Sequence, residues 1–256
     1  MTDLYLKYIL LKYAPINGSG IVYTDLINPI RYWLSSYLLE MKTSGSVAKN
    51  TAIHGKSDVD FLISIHKNFP YTLENTYNDL YELIRRCPNV KNIKKQRVSI
   101  GFQYKGFDVD LVPAIKDLGN TNYHKLYVNE PNKKWILTNI HNNISYVIKY
   151  RRFDEIRLIK IWKKCLGLDF PSIYIEMIVI DTLLYYPYDN LSANFQTVLN
   201  CLANVNFLNK RFVDISNSNN IISDSIDYRD KLKISRAAQD SLRMFRLNLS
   251  WNGIIH

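Results

Sequence analysis

Two segments fifty residues apart share one arrangement of charge and apolar bulk, Asp58-Val59-Asp60-Phe61-Leu62 and Asp108-Val109-Asp110-Leu111-Val112. Each opens a run that reads as a β-strand, DFLISI in the first case and GFDVDLVP in the second. Side chains two apart in a strand point to the same face, so each segment presents a pair of carboxylates together. Like charges a few ångströms apart repel and raise one another's pKa unless a cation lies between them. A divalent metal removes the conflict, and hard carboxylate oxygens suit Mg²⁺, which takes its remaining ligands from phosphates and water. If the two strands are neighbours, Asp58, Asp60 and one carboxylate of the second pair complete a site for two metals. Asp110, which precedes the apolar Leu-Val-Pro, is the choice for third ligand, with Asp108 in reserve.

The rest of the pattern sets these strands in context. Leu4, Tyr8 and Leu11 mark a short amphipathic helix. Ile30, Trp33, Leu34, Tyr37, Leu38 and Met41 predict a helix over 29–42, with Asn28 as N-cap and Pro29 at its first position. That stripe is long enough to span two lobes. Residues 72–87 read as a helix with a capping pattern at Thr72, and 97–114 as two strands joined at Tyr-Lys-Gly. From about residue 138 the pattern is helical, interrupted by the polar SNSNN loop, with a last helix near 228–246. The expected fold class is α+β: a mixed-sheet lobe over 1–137 followed by a helical lobe over 138–256.

Composition narrows the setting. Against 33 Lys+Arg stand 23 Asp+Glu, a net charge of +10 that suits polyanionic partners such as nucleoside triphosphates or RNA. The three cysteines, Cys87, Cys165 and Cys201, have no ligand or framework spacing, which argues against disulfides and a Cys-based zinc site and for a reducing cytoplasm. The N-terminus is a poor signal peptide, and the longest apolar run is broken by Glu176 and Asp181, so no membrane association is expected. The five histidines are scattered and read as surface or satisfied core.

Between the apolar stripe and the first carboxylate pair stands Gly45-Ser46, with eleven residues between it and Asp58. A glycine lets backbone approach a ligand closely, and amides with a hydroxyl suit phosphate oxygens. Gly-Ser, the spacer, Asp-Val-Asp and the later Val-Asp-Leu-Val-Pro resemble the nucleotidyltransferase superfamily of DNA polymerase beta type. The closest likeness is to the CD-NTases (cyclic GMP–AMP synthase-like bacterial enzymes), with oligoadenylate synthetases and CCA-adding enzymes as relations. The resemblance implies a bilobal nucleotidyltransferase fold, with Asp58, Asp60 and Asp110 as catalytic metal ligands and Gly45 and Ser46 on the β- and γ-phosphates. RLIKIWKK (157–164) is similar to a helix whose lysine faces the triphosphate, which assigns Lys160 to nucleotide binding, with Arg157 and Lys164 supporting. FPSIYIEM resembles a serine-bearing helix start, which assigns Ser172 to the phosphates, although the same serine also fits an ordinary N-cap; Glu176, one turn on, is placed either to bond a neighbouring helix or to orient Lys160. RFVDISNSNNIISD is similar to a loop of the same group, with Ile215 in place of the usual proline.

The expected chemistry is template-independent transfer of a nucleoside monophosphate to a ribose hydroxyl with pyrophosphate release, using two Mg²⁺ ions or Mn²⁺ in their place. Three acceptors follow. A second nucleotide gives a cyclic di- or oligonucleotide second messenger of the anti-phage type, the first choice. An RNA 3′ end is the alternative, favoured by charge and by the basic run Lys91, Lys94, Lys95, Arg97 and Lys105 with Arg85 and Arg86. A silent nucleotide sensor ranks third. Tyr123, Tyr150 and Tyr174 are the candidates for stacking on a base. Oligomeric state is left open by the sequence.

Overall fold

The computed structural model describes residues 2–16, 18–55, 58–117, 122–131 and 133–256. Contacts divide the chain into two units, Ile16–Asn50 with Lys56–Ile144, and Met1–Pro15 with Thr51–Gly55 and Ser145–His256. The expected division at 137/138 thus falls a few residues later, and two N-terminal pieces belong with the helical half.

The sheet unit runs α2 (Ser19–Leu34), β1 (Leu38–Thr43), α3 (Gly45–Ala48), β2 (Val59–Ile65), α4 (Leu73–Arg85), β3 (Val90–Lys95), β4 (Ile100–Tyr104), β5 (Phe107–Lys116), β6 (His124–Glu130) and β7 (Lys133–Thr138). The strands form one mixed sheet in the order β1-β2-β5-β4-β3, with β6 pairing β5 and β7 pairing β6. β2 and β5 run parallel at its centre and every other pairing is antiparallel. Lys105 and Gly106 close the β4–β5 hairpin with φ of 48° and 87°, the left-handed geometry that a two-residue turn needs to follow the strand twist.

Alternation sorts the two faces. Val59, Phe61, Ile63 and Ile65 of β2, Val109 and Leu111 of β5, and Ile100, Phe102 and Tyr104 of β4 are buried in one apolar cluster with α2 and α4. Truncating one of the large members, such as Phe61, would cost about 3–5 kcal/mol. The helix expected over 29–42 is not what forms. α2 starts ten residues earlier than expected and holds Pro29 inside it, while Leu38–Thr43 is a strand. Met41 of β1 joins the core from the sheet, paired with Ile63. The stripe read as one helix face is therefore two elements, and cross-strand pairing outweighed helical spacing. It belongs to the sheet unit alone.

The helical unit comprises α1 (Thr2–Lys12), the later part of α5 (Ile140–Tyr150), α6 (Phe153–Cys165), α7 (Ser172–Thr182), α8 (Leu191–Ala203), α9 (Val205–Leu208), a small hairpin of β8 (Val213–Asp214) and β9 (Asn217–Ile221), and α10 (Tyr228–Asn248). α1 is a helix as expected, but it buries Leu6, Ile9 and Leu10, whereas Leu4, Tyr8 and Leu11 are exposed. SNSNN is not simply a loop: Asp214 accepts from the Ser216 amide and hydroxyl and from Asn220 Nδ2, and the segment pairs as a hairpin. α7 is buried on nearly every side, with Tyr174 through Ile180 all inside. None of the described helices is long and apolar enough to cross a membrane.

Candidate active site

All the predicted carboxylates of the sheet unit fall on one face. Because Val59 and Phe61 point into the α2/α4 core, Asp60 must point the other way, and the same parity turns Asp108 and Asp110 away from Val109 and Leu111. The parallel register pairs Asp60 directly with Asp110. Neighbouring strands lie about 4.8 Å apart, so these two carboxylates stand side by side at the centre of the sheet. Asp58, exposed just ahead of β2, lies near enough to Asp108 and Asp110 for their charges to interact.

Gly45 closes one flank. Its φ is +57°, and a Cβ added there would lie 1.8 Å from Asp60 Oδ2 and 2.5 Å from its Cγ. No side chain fits between this backbone and the carboxylate, and the conformation itself favours glycine. The preceding residue ties the loop to the strand, with the Ser44 amide donating to the Asp60 carbonyl at 2.8 Å. Gly45 and Ser46 then open the short helix α3, whose first-turn amides have no acceptor within the helix.

Asp110 is held from the other flank. Gln96 Nε2 donates to its Oδ1 at 3.1 Å and Ser99 Oγ to its Oδ2 at 3.4 Å. The loop carrying both is pinned by the fully buried Tyr77 of α4, whose hydroxyl donates to the carbonyls of Gln96 at 2.6 Å and Ser99 at 3.0 Å. Burial, and then the charge of Asp58, push the Asp110 carboxyl up to about 6, against the pull of the Ser99 bond, Lys94 and the Gln96 bond. Asp58 is raised as well, by desolvation first and then by Asp108, with Lys94 opposing. Beyond Asp110 a pocket of about 250 Å³ opens on the β3–β5 side, where Asn92, Lys94 and Gln103 face Asp58, Asp108 and Asp110.

The donor set suits a hard divalent cation. It is all oxygen, two members are adjacent in register, and the crowding raises pKa values in the sense that a bound cation relieves. Among the described residues no three His, Cys, Asp or Glu side chains are drawn together as a ready-made cage. Asp60 turns toward Gly45, while Asp110 accepts from Gln96 and Ser99. Mg²⁺ ordinarily needs only one or two carboxylates beside substrate phosphates, not a closed protein cage.

In the helical unit Lys160 is buried, and its Nζ donates to Thr51 Oγ1 at 2.9 Å and the Thr51 carbonyl at 3.1 Å. Glu176 lies 3.5 Å from the same ammonium and is buried too. Lys164 donates to the His54 carbonyl at 3.2 Å and Arg157 to that of Leu10 at 3.0 Å. The basic face of α6 thus holds backbone, chiefly the 51–55 segment between Ser46 and Asp58. Ser172 is exposed at the first position of α7; Pro171 is the N-cap, and no side chain caps that end, so Ser172 is not the cap. Tyr174 is fully buried against Phe170 and Phe212, which removes it from the stacking candidates.

Residues 27–149 match the family described as Second Messenger Oligonucleotide or Dinucleotide Synthetase domain. This stretch, just under half of the chain, is similar to that family. It contains Gly45, Ser46 and all four aspartates, so the motifs that resemble a nucleotidyltransferase lie inside the matching domain. A cyclic AMP-AMP-AMP synthase of Escherichia coli (strain MS 115-1) is 25% identical over 181 residues, 64% of this chain. The match spans only 56% of that relative's length. Among solved structures, E. coli MS115-1 CdnC with ATP superposes with a TM-score of 0.76 at 19% identity, over 96% of this chain and 92% of that one. The Bradyrhizobium diazoefficiens CD-NTase CdnG in complex with GTP gives 0.76 at 12% identity, over 98% and 94%. These likenesses establish the bilobal nucleotidyltransferase fold. Sequence reasoning missed Gln96, Ser99 and Tyr77 around Asp110, because nothing in their spacing shows that a loop folds back onto a strand later in the chain. Lys94 was visible only as one lysine in a basic run.

Proposed function

We propose that this chain is a Mg²⁺-dependent, template-independent nucleotidyltransferase that joins nucleoside triphosphates into a cyclic di- or oligonucleotide second messenger. The observation that carries the reading is the side-by-side register of Asp60 and Asp110 on one sheet face, with the backbone of Gly45 against Asp60. Asp58, Asp60 and Asp110 would hold the divalent ions, which when bound neutralise the triphosphate and stabilise charge on the attacking and leaving oxygens. Gly45 and Ser46 would receive the β- and γ-phosphates from beside Asp60. A ribose hydroxyl oxygen bonds to the α-phosphorus, the bond from that phosphorus to the β-bridging oxygen breaks, and pyrophosphate leaves. Asp110, on the flank of Asp60 away from Gly45, is placed to take the hydroxyl proton. Lys160 and Glu176 serve as positioning residues through Thr51.

The relative's name as a cyclic AMP-AMP-AMP synthase and the ATP and GTP bound by the structural neighbours support nucleoside triphosphates as substrates. Transfer to an RNA end is the second reading, favoured by Lys91, Lys94 and Lys95 exposed on the edge strand β3. The test is incubation with Mg²⁺ and α-³²P-labelled triphosphates, with and without RNA. Phosphatase-resistant small products in the absence of RNA are expected. Label found only on RNA supports tailing, and Asp60→Asn turnover equal to that of the unaltered chain overturns the enzymatic reading.

A further inference from the structure

We propose that the outer face of α1, with the adjoining end of α10, docks on an anionic phospholipid surface. α1 carries apolar residues on two sides. Leu6, Ile9 and Leu10 enter the helical core, whereas Leu4, Tyr8 and Leu11 are 71%, 59% and 75% exposed. Their spacing sets those three one above another along a single face. A helix of a globular protein ordinarily keeps one apolar stripe and turns charged and polar groups to water on the other side. In α1 the core is already served by the first stripe, so the second is available to something outside the chain.

α10 extends this surface. It ends at Leu249, whose φ of 49° turns the chain back. The returning segment is tied to α1: Tyr5 Oη donates to the Ile255 carbonyl at 2.8 Å and to Asn252 Oδ1 at 3.4 Å, and Tyr13 Oη to the His256 carbonyl at 2.8 Å. The end of α10 is therefore a neighbour of α1, and it brings Leu247 and Leu249, 78% and 73% exposed. Apolar exposure gathered on adjoining elements, unlike singly scattered residues, marks an interaction surface.

Charge selects the partner. Interleaved with these apolar residues are the exposed cations Lys7 and Lys12 on α1 and Arg243 and Arg246 on α10. Of the nearby carboxylates, Asp3 accepts from the Ser192 amide at 2.8 Å and Asp240 lies 3.6 Å from Arg243. Leucine and tyrosine flanked by lysine and arginine compose a helix that lies in a bilayer interface, its apolar face among the acyl chains and its cations at the headgroups. An anionic leaflet attracts each such cation within a Debye length of its surface. A second copy of the chain fits less well, because a two-fold pairing centred on Leu4–Leu11 would bring the two copies of Lys7 together. The expectation of no membrane association rested on the lack of a spanning segment, and a helix lying on the surface spans nothing.

The test is cosedimentation of the whole chain with vesicles of phosphatidylglycerol and phosphatidylcholine in equal parts, against vesicles of phosphatidylcholine alone. Binding is expected to the anionic vesicles only, at about 0.1 M salt, and should fade toward about 0.5 M as the charges are screened. Leu4→Ser combined with Leu11→Ser should lower the partition coefficient by about tenfold or more. Both positions are exposed, so the urea midpoint should not move. Lys7→Glu with Lys12→Glu, which leaves the apolar stripe intact, should also weaken binding to the anionic vesicles by about tenfold or more. Tyr8→Trp should add emission that shifts blue on those vesicles and is quenched by brominated acyl chains, a readout that charge attraction alone does not move. The proposal is overturned if the unaltered chain stays in the supernatant with anionic vesicles, or if the leucine variant binds within about twofold of it. A mass that doubles with concentration in lipid-free sedimentation, and no longer does so in the leucine variant, overturns it in favour of self-association. None of these outcomes bears on the nucleotidyltransferase reading, which pyrophosphate release tests separately.

Discussion

The Asp60 carboxylate fills the space a side chain at position 45 would need, and that single juxtaposition explains why the loop begins with glycine. A methyl group at 45 would overlap the Asp60 carboxylate at 1.8 Å and would also have to adopt φ +57°. Gly45→Ala should therefore cost about 1–3 kcal/mol from backbone strain, read as a lower urea midpoint, and abolish most pyrophosphate release by displacing Asp60. Asp110 carries a pH consequence. Its carboxyl in the folded chain titrates at about 6, above the ordinary 3.8. Between those values the folded state holds more protons than the unfolded one, so stability falls as pH rises. In chelator, the Tm contribution of this group should drop between pH 4 and pH 6.5, and Asp110→Asn should flatten that slope. Mg²⁺ added at pH 7.5 should restore Tm in the unaltered chain and not in Asp110→Asn; equal slopes in the two chains would refute the assignment. Both carboxylate pairs could be picked out in the sequence because strand parity depends only on local alternation. The Gln96 and Ser99 donors could not, since a loop returning to a strand has no periodicity.

At the scale of elements, α6 shows how a basic face can be structural. Lys160 and Glu176 lie 3.5 Å apart with side chains only 6% and 3% exposed, and Thr51 shares the same ammonium. Breaking one partner of such a pair leaves an uncompensated buried charge, so Lys160→Met should destabilise by about 3–5 kcal/mol. Lys160→Met combined with Glu176→Leu should recover much of that in urea unfolding, whereas additive losses would show that the two charges do not depend on one another. The Lys-x-x-x-Lys spacing was legible as one helix face; its burial was not. β1 makes the same point from the other side. Leu38 and Met41 fit a helical stripe as well as a strand, and only pairing with β2 decided between them. Where the alternatives differ by tertiary partners, local spacing is silent.

Across the whole molecule the described residues form two large apolar cores, one between the sheet and α2/α4 and one among the helices, and a small third cluster of Leu62, Ala114 and Leu126. Trp162 and Trp251 are fully buried in the helical core, while in the sheet unit Trp33 packs against the sheet core and Trp135 is 50% exposed, so tryptophan emission should report on both units. Leu199→Ala, in the centre of α8, should cost about 2–5 kcal/mol and lower the fluorescence midpoint. Hydrogen exchange should quicken over residues 191–203 and stay unchanged over 59–65; joint acceleration would mean that the two cores unfold as one. The amino-acid sequence by itself determined the fold class, the one-faced carboxylates of both strands and the Gly-Ser approach to them, because each follows from alternation or from a residue type with a single conformational use. Only the tertiary structure decided that Asp60 pairs with Asp110, that α1 and residues 51–55 join the helical unit, and that Lys160 is buried. Those depend on which surfaces meet, and contacts between residues distant in the chain are settled by packing, not by local pattern.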